Sequence, residues 1–499
     1  TDSEEIARAN EHGIDVIVTD HHIPLRKGGD ESASRGLSTT LPASEGGTPF
    51  TNTPPASECS APLARGDGDF LPPAFAILNP KQADCAYPEK MLCGSGVTFK
   101  LIQALTSKLK TTNLKLPTGW EKWMLDMVGL ATLSDMVPLT GENRVFAYYG
   151  LKVLKKSPRK GLTELLSVLR LNRNDITEDD VGFSITPRIN AASRMGIPMD
   201  AFRLFATTDD NEASTLARHL DKINNERKGR VASLVKEVRK IIEERHNITP
   251  HSRSSTPDVG KLPRVIVAGN PNWRPALLGL VANSLAEDMR CPVFLWGREE
   301  SPELKGSCRA GGLVDLSLLM HEASSVFSDF GGHKEAGGFS TTLEKVHLLE
   351  AELERAYEKI RSDLSSDTRS DLVADAVLTF DEVNDKTWQD IAKLAPFGVG
   401  NPKPVFLFES AKVRKMEQFG KEKQHLKLTF AKSDGVYVNA IKFYAKLEDF
   451  NLGKTPRSDL KSGERSDLGV SLRVNLLAHL EKSTFGNKTE LRLRIVDIT

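Results

Sequence analysis

Apolar and polar positions divide the chain into segments of different period. Ile14 to Thr19 is a short, β-branched apolar run, the pattern of a strand buried in a parallel sheet. Ser3 to Gly13 before it reads as a helix, with Ser3 as cap, Glu4 and Glu5 in the first turn and Gly13 at the end. Ala74 to Leu78 reads as a second strand, stopped by Asn79-Pro80. Gly94-Ser95-Gly96 opens a helix through Leu109, Glu121 to Leu133 is apolar at helical spacing, and residues 143 to 171 read as two more helices. Asn211 to about Arg245 is one long charged helix whose apolar stripe (Leu216, Leu220, Ile223, Val231, Leu234, Val238) suits a helix lying against or bridging domains. A second α/β pattern follows: strand 264–269, helix Pro275 to Asp288, strand Cys291 to Trp296, strand Lys305 to Ala310, a helix from Asp315 and a helix from Leu343 to Leu364. From about Val373 the period changes to two. Val405–Phe408, His425–Phe430, Val436–Phe443, Leu472–Leu480 and Leu491–Ile495 predict five short strands.

Five such strands fit a small Greek-key barrel of the OB type. The pattern therefore predicts an α/β chain: a parallel-sheet domain over 1–210, a connecting helix and linker over 211–260, a second α/β domain over 261–365, and a barrel over 373–499. Its 499 residues agree with roughly three domains of about 150 residues each. Lys27 to Asp69 is mostly Gly, Ser, Thr, Pro, Ala and Glu, too poor in apolar surface to offset ordering entropy, and reads as a disordered insertion. His246 to Lys261 reads as a linker. Arg-Ser-Asp-Leu recurs at 361, 369, 457 and 465, and the later pair falls in a low-complexity insertion near 453–468. These copies have no assigned role.

Charge adds little at the level of the whole chain. Lys and Arg total 67, as do Asp and Glu, so a nucleic-acid surface has to be a local groove. Lys412, Arg414, Lys423, Lys427 and Lys442 supply candidates in the barrel. The five cysteines form no CxxC pair and read as reduced thiols. No apolar run is long enough to span a bilayer and no secretory signal is present, which predicts a cytoplasmic location and no membrane partner. The chain opens at Thr1 in the middle of an α/β pattern, which suggests a fragment lacking its true N-terminus.

Chemistry gathers at four places. Asp20-His21-His22 follows the first strand, where open α/β sheets bind ligands. An acid and two imidazoles there suit a metal and phosphate site, although Asp after a strand is also a common turn residue. Asp135 ends a helix before a Pro turn, facing the negative end of the dipole, a position that a divalent cation would make favourable. Thr186 to Gly196 reads as a small-residue turn bearing Arg188, Asn190 and Arg194, suited to phosphate or equally to helix capping. Ser307 and Arg309, with His333 between the pairs Gly331-Gly332 and Gly337-Gly338, could bind a terminal phosphate. Both glycine pairs permit positive φ and close backbone approach.

Taken in order, these blocks resemble the DHH phosphoesterase superfamily. Asp20-His21-His22 is similar to its signature, and Ala131 to Leu139, with Asp135, to a later acidic motif. Pro187 to Ala192 resembles another block, and Gly331 to Gly338 the associated DHHA1 domain. Pro396-Phe397-Gly398-Val399-Gly400-Asn401-Pro402 to Phe406 resembles the block opening the OB domain of the RecJ-type exonucleases. The resemblance implies a DHH domain, a long helix, a DHHA1 domain and an OB barrel. It also implies hydrolysis of single-stranded DNA from 5′ to 3′ in recombination and repair, with two Mn²⁺ or Mg²⁺ ions. By position, His21 and Asp135 would be metal ligands, Asp20 would orient His21, and His22 would touch the scissile phosphate. Ser307, Arg309 and His333 would bind the 5′ end, next to Gly332, and Arg188 and Arg194 would hold the backbone beside Asn190. Two departures stand out. The family's earlier acidic motifs lie upstream of Asp20 and are absent here, so the chain alone is expected to be inactive. A block that usually reads Trp-His reads Trp273-Arg274, placing a permanent cation where the family has a titratable group. Alternatives are a phosphodiesterase of short oligonucleotides or small nucleotides, and a non-catalytic DNA-binding scaffold.

Overall fold

The computed structural model describes residues 3–22, 25–26, 69–109, 117–245, 263–298, 303–312, 314–363, 373–420, 423–445, 472–485 and 488–498. The expected insertion at 27–69, apart from Asp69, the linker at 246–261, the segment 453–468 and the last three Arg-Ser-Asp-Leu copies lie outside them. The first copy overlaps the end of a helix, Leu349–Asp363. The chain divides into two compact units, residues 1–157, 176–181 and 373–499 in one and 158–175 with 182–372 in the other.

The first unit begins with α1 (Ser3–Glu11) and β1 (Ile17–Thr19). A short antiparallel pair, β2 (Leu25–Arg26) and β3 (Asp69–Phe70), is followed by β4 (Ala76–Leu78). β1 and β4 are parallel, with Ile17 opposite Ala76 and Thr19 opposite Leu78. The Asp20 N–H still donates to the Leu78 carbonyl, at 2.9 Å, so the ladder ends where the acid–imidazole triplet begins. Helices α2 (Gly94–Leu109), α3 (Leu125–Ser134) and α4 (Gly141–Leu154) pack beside this pair. α3 and α4 touch backbone to backbone: a Cβ on Gly129 would stand 2.5 Å from the Gly150 Cα. A one-turn helix, α6 (Glu178–Asp180), is held by a capping box with Thr177.

The rest of this unit is one antiparallel-dominated sheet. Its strands are β10 (Ala376–Val377), β11 (Phe406–Lys412), β12 (Lys415–Phe419), β13 (His425–Ala431), β14 (Tyr437–Lys442), β15 (Arg473–Phe485) and β16 (Lys488–Ile498), in the order β10-β11-β15-β16-β14-β13-β12. All five expected strands are here, and β10 and β12 join them. β12 is two charges and a Gln around Met416 and Phe419, so its alternation is muted. The sheet closes over a core of Phe406, Phe408, Leu426, Leu428, Phe430, Leu476, Leu480 and Leu493, flanked by α13 (Asp385–Ala392).

The second unit starts with helices α5 (Lys160–Leu169), α7 (Thr186–Met195), α8 (Pro198–Ala206) and α9 (Asp210–Arg245). The segment 186–196, expected as a turn, is thus helical. Ala191 and Ala192 are fully buried, and their small side chains let α7 lie close to neighbouring helices. The first half of α9 buries Leu216 and Leu220; the second half packs Leu234, Val238 and Ile242 against α10 (Pro275–Met289) and the adjoining sheet. That sheet runs β5 (Ile266–Gly269), β6 (Val293–Gly297), β7 (Leu304–Arg309), β9 (Ala336–Thr341), β8 (Asp329–His333). Only β5 and β6 are parallel. Alternation separates its faces: Ile266, Val293 and Leu295 meet α9 and α10, while Val267, Phe294 and Cys308 meet α11 (Leu316–Glu322) and α12 (Leu349–Asp363).

Candidate functional sites

In the first unit, the four predicted residues Asp20, His21, His22 and Asp135 meet at the carboxyl end of β1. Asp135 caps the C-terminus of α3, and Met136 after it takes φ +54°. His21 Nδ1 lies 3.5 Å from Asp135 Oδ2. That is long for a hydrogen bond but suits two donors converging on one ion. Among the described residues no hydrogen bond joins the Asp20 carboxylate to the ring of His21. Asp20 Oδ1 accepts the His21 N–H at 2.7 Å and lies 2.7 Å from Nδ1 of His22. The side chain thus orients the exposed His22 imidazole and pins the turn that presents His21. Burial opposes the Asp20 charge, yet the bonds from the His22 ring and the two histidine N–H groups outweigh it and hold the carboxyl below its usual range. Burial pulls His21 down as well; Asp135 opposes this, and His22 and Lys81 add to it.

Asn79, Lys81 and Gly94 also contribute to this site. Asn79, buried after β4, donates to the His22 carbonyl at 2.7 Å. Lys81 is half-buried, and burial lowers its pKa against the attraction of Asp135 and Asp20. The start of α2 also contributes: a Cβ on Gly94 would meet the His21 ring at 3.5 Å. Among the described residues no third His, Cys, Asp or Glu joins His21 and Asp135 as a ligand group. One imidazole and one carboxylate fit a hard divalent cation that keeps water in its other positions.

The second unit holds a basic site on the α10 face of its sheet. Arg309 stands opposite Ala336, and Ala336 opposite His333, so the three form one cross-strand row. Ser307, Gly338 and Gly331 form the next row on the same face. The two glycines leave open ground between Ser307, Arg309 and His333. None of the four glycines has positive φ, contrary to one expected use. Gly332 and Gly337 serve close approach instead, since a Cβ on Gly332 would sit 2.4 Å from the Ala336 carbonyl oxygen. A Cβ on Gly279 of α10 would lie 3.0 Å from Arg309 Nη2 and 3.6 Å from Ser307 Oγ. Arg194 reaches the same helix start, donating to the Ala276 carbonyl at 2.9 Å. Arg188 is instead committed to Asp221, at 3.0 Å, while the Asn190 side chain is exposed. Arg274 occupies the N-cap position of α10, next to a buried Trp273 whose indole N–H donates to Glu237 at 3.0 Å.

Arg227 of α9 belongs to this site and was hidden in a charged stripe. Its Nε is buried without a hydrogen-bond partner. Burial, then Arg194 and Arg188, lower its pKa; burial and Arg194 do the same for Arg309. Cations gathered in this way would suit an anion.

Comparison with known proteins finds related domains in the chain. Residues 262–362 match the DHHA1 domain, and residues 374–497 match the RecJ OB domain. An α/β unit of the DHHA1 kind followed by an OB barrel defines the class. The chain is similar to proteins of the RecJ type. It is 29% identical over 426 residues to the single-stranded-DNA-specific exonuclease RecJ of Bacillus subtilis, covering 84% of this chain and 45% of that protein. It is 29% identical over 448 residues to RecJ of Haemophilus influenzae, covering 88% and 68%. The chain thus spans about half to two thirds of the length of these relatives. The fold matches the structure of Thermus thermophilus RecJ in complex with Mn²⁺ at a TM-score of 0.64 and 24% identity, over 87% of this chain and 57% of that one. Among the described residues no helix is long and apolar enough to cross a membrane.

Proposed function

We propose that the chain is part of a metal-dependent exonuclease that hydrolyses single-stranded DNA from the 5′ end. The observation that carries this reading is the convergence of His21 and Asp135, 3.5 Å apart, beyond the carboxyl end of a parallel strand pair. The names of the RecJ relatives support the substrate, and the Mn²⁺ and Mg²⁺ complexes of Thermus RecJ support the cofactor. His21 and Asp135 would hold a divalent cation. Bound there, the ion would supply Lewis-acid charge and an activated water. Asp20 would keep the His22 imidazole turned toward a phosphate, and Lys81 would balance the carboxylates when the ion is absent. Ser307, Arg309 and His333, with Arg194 and Arg227, would receive a terminal phosphate. The proposed domain limits are 1–210, 261–365 and 373–499.

The test is release of nucleotides from 5′-phosphorylated single-stranded DNA by the gene product containing this chain, with Mn²⁺, beside an Asp135→Ala variant. Release by the wild type alone supports the reading. Release by neither, with cleavage of short oligonucleotides instead, would replace it with a small-substrate phosphodiesterase.

A further inference from the structure

The strand-end site holds a cation that its carboxylates do not claim. β4 runs beside β1, and its carboxyl end leads directly into Asn79-Pro80-Lys81. Asn79 ties this turn to the acid–imidazole triplet. Its Nδ2 donates to the His22 carbonyl at 2.7 Å, and its Oδ1 accepts the Lys81 N–H at 2.9 Å. The residue is buried, so both ends of its amide are spent on fixing position. Gln82 locks the far side of the turn, donating to the carbonyls of Ile77 at 3.1 Å and Asn79 at 3.3 Å. The backbone that carries Lys81 is therefore held from both sides, and held to the same turn that presents His21 and His22.

Lys81 is half-buried on this fixed turn. Its ammonium lies in the field of Asp135 and Asp20, and it acts in turn on His21. Yet among the described residues it forms no ion pair and its side chain makes no hydrogen bond. The nearby acids face the histidines instead: Asp20 Oδ1 meets Nδ1 of His22 at 2.7 Å, and Asp135 Oδ2 faces Nδ1 of His21 at 3.5 Å. A lysine near two acids usually balances their charge. Direct pairing with either acid would serve balance better, and a long lysine stem ordinarily keeps its head in water. An ammonium held partly out of water without a close acid is placed at a cost, which an arriving anion repays.

We propose that Lys81 binds substrate, its ammonium taking a non-bridging oxygen of the phosphate that reaches His21, His22 and Asp135. Lysine suits the task as a compact charge with three rotatable donors. Negative charge gathers on the phosphoryl oxygens as a phosphodiester is hydrolysed, so a cation fixed beside them favours the transition state. The role rests on the exonuclease reading above and deepens it, naming a second phosphate contact beside His22.

The test uses the gene product containing this chain, with Lys81→Met and Lys81→Arg variants. Neither change removes the backbone N–H that Asn79 accepts. At saturating Mn²⁺, Lys81→Met lowers kcat on 5′-phosphorylated single-stranded DNA about 100-fold, as loss of one such donor does. Lys81→Arg keeps the charge and recovers most of the rate. A second readout needs no turnover. In EDTA, fluorescence anisotropy compares an all-phosphate strand with one bearing a neutral methylphosphonate at the linkage nearest the 5′ end. Lys81→Met shifts the ratio of the two affinities about 10-fold toward the methylphosphonate, and Lys81→Arg leaves the wild-type ratio. Full kcat in Lys81→Met at saturating Mn²⁺, or an unchanged affinity ratio, overturns the phosphate contact and leaves Lys81 as charge balance alone. Absence of cleavage by the wild type overturns the contact together with the exonuclease reading.

Discussion

The backbone N–H of Leu139 donates to the Val399 carbonyl at 2.6 Å. This bond joins the loop that carries Asp135 to the block preceding the first long barrel strand. Leu139 is buried, and a Cβ on Gly398 would stand 2.9 Å from its Cδ1. Gly400, at φ +74°, faces Pro138 and Thr140. Arg144 adds a bond to the Leu394 carbonyl at 2.7 Å, and Asn401 closes the block on the carbonyls of Leu394 and Pro396. The barrel therefore braces the acidic loop from behind.

Gly398→Val tests the brace. The added methyls collide with Leu139, and overpacking of this kind costs about 1–3 kcal/mol. Urea denaturation should show that loss. Mn²⁺ affinity, read by isothermal calorimetry, should fall too, because the displaced loop carries Asp135. Unchanged Mn²⁺ affinity in a destabilised variant would confine the brace to a structural role.

The arginine site predicts a preference for a phosphorylated end. Arg227→Gln should weaken binding of a 5′-phosphorylated oligonucleotide and leave its 5′-hydroxyl counterpart nearly unchanged. The salt slope for the phosphorylated strand should fall by about 1. Equal loss for both strands would make Arg227 a general backbone contact.

Burial pushes the thiols of Cys291 and Cys308 up to about 12. Their folded pKa values lie above the unfolded value of roughly 8.5. The stability they contribute as neutral thiols is therefore fully present below about pH 8.5 and is lost as pH rises toward 12. In the native chain at pH 8, iodoacetamide should label the half-buried Cys85 ahead of Cys93, Cys291 and Cys308. Replacing Cys291 and Cys308 by Ala should flatten the fall in urea midpoint between about pH 9 and 11.

Local pattern was legible and pairwise geometry was not. The apolar run before Asp20 located a strand end, and period-two alternation located five barrel strands. Asp20 was read as the orienter of His21, yet it holds His22, because a turn's direction depends on bonds such as that from Asn79, 57 residues away. Lys81 and Arg227 carry no local signal; only tertiary packing sets them beside other charges. The glycines around His333 were visible, but their use in close strand contact instead of positive φ depends on the β8–β9 register. The 186–196 segment showed small residues without showing that α9 would cover them as a helix.

The strand-end site makes a claim about metal that does not depend on turnover. If His21 and Asp135 are ligands, His21→Ala and Asp135→Asn should each weaken Mn²⁺ binding at least tenfold, measured by electron paramagnetic resonance of the free ion. Asp20→Asn acts at one remove: it keeps an acceptor for the His21 N–H but weakens the hold on His22. Its effect on Mn²⁺ affinity should be smaller than that of either ligand change, and His22→Ala should have almost none. Removing Lys81 should move affinity the other way, since a cation beside Asp135 and Asp20 repels the ion. Lys81→Met should therefore tighten Mn²⁺ binding. Equal losses across all of these variants would mean that the turn had collapsed, and circular dichroism on each protein separates that outcome from the loss of a ligand.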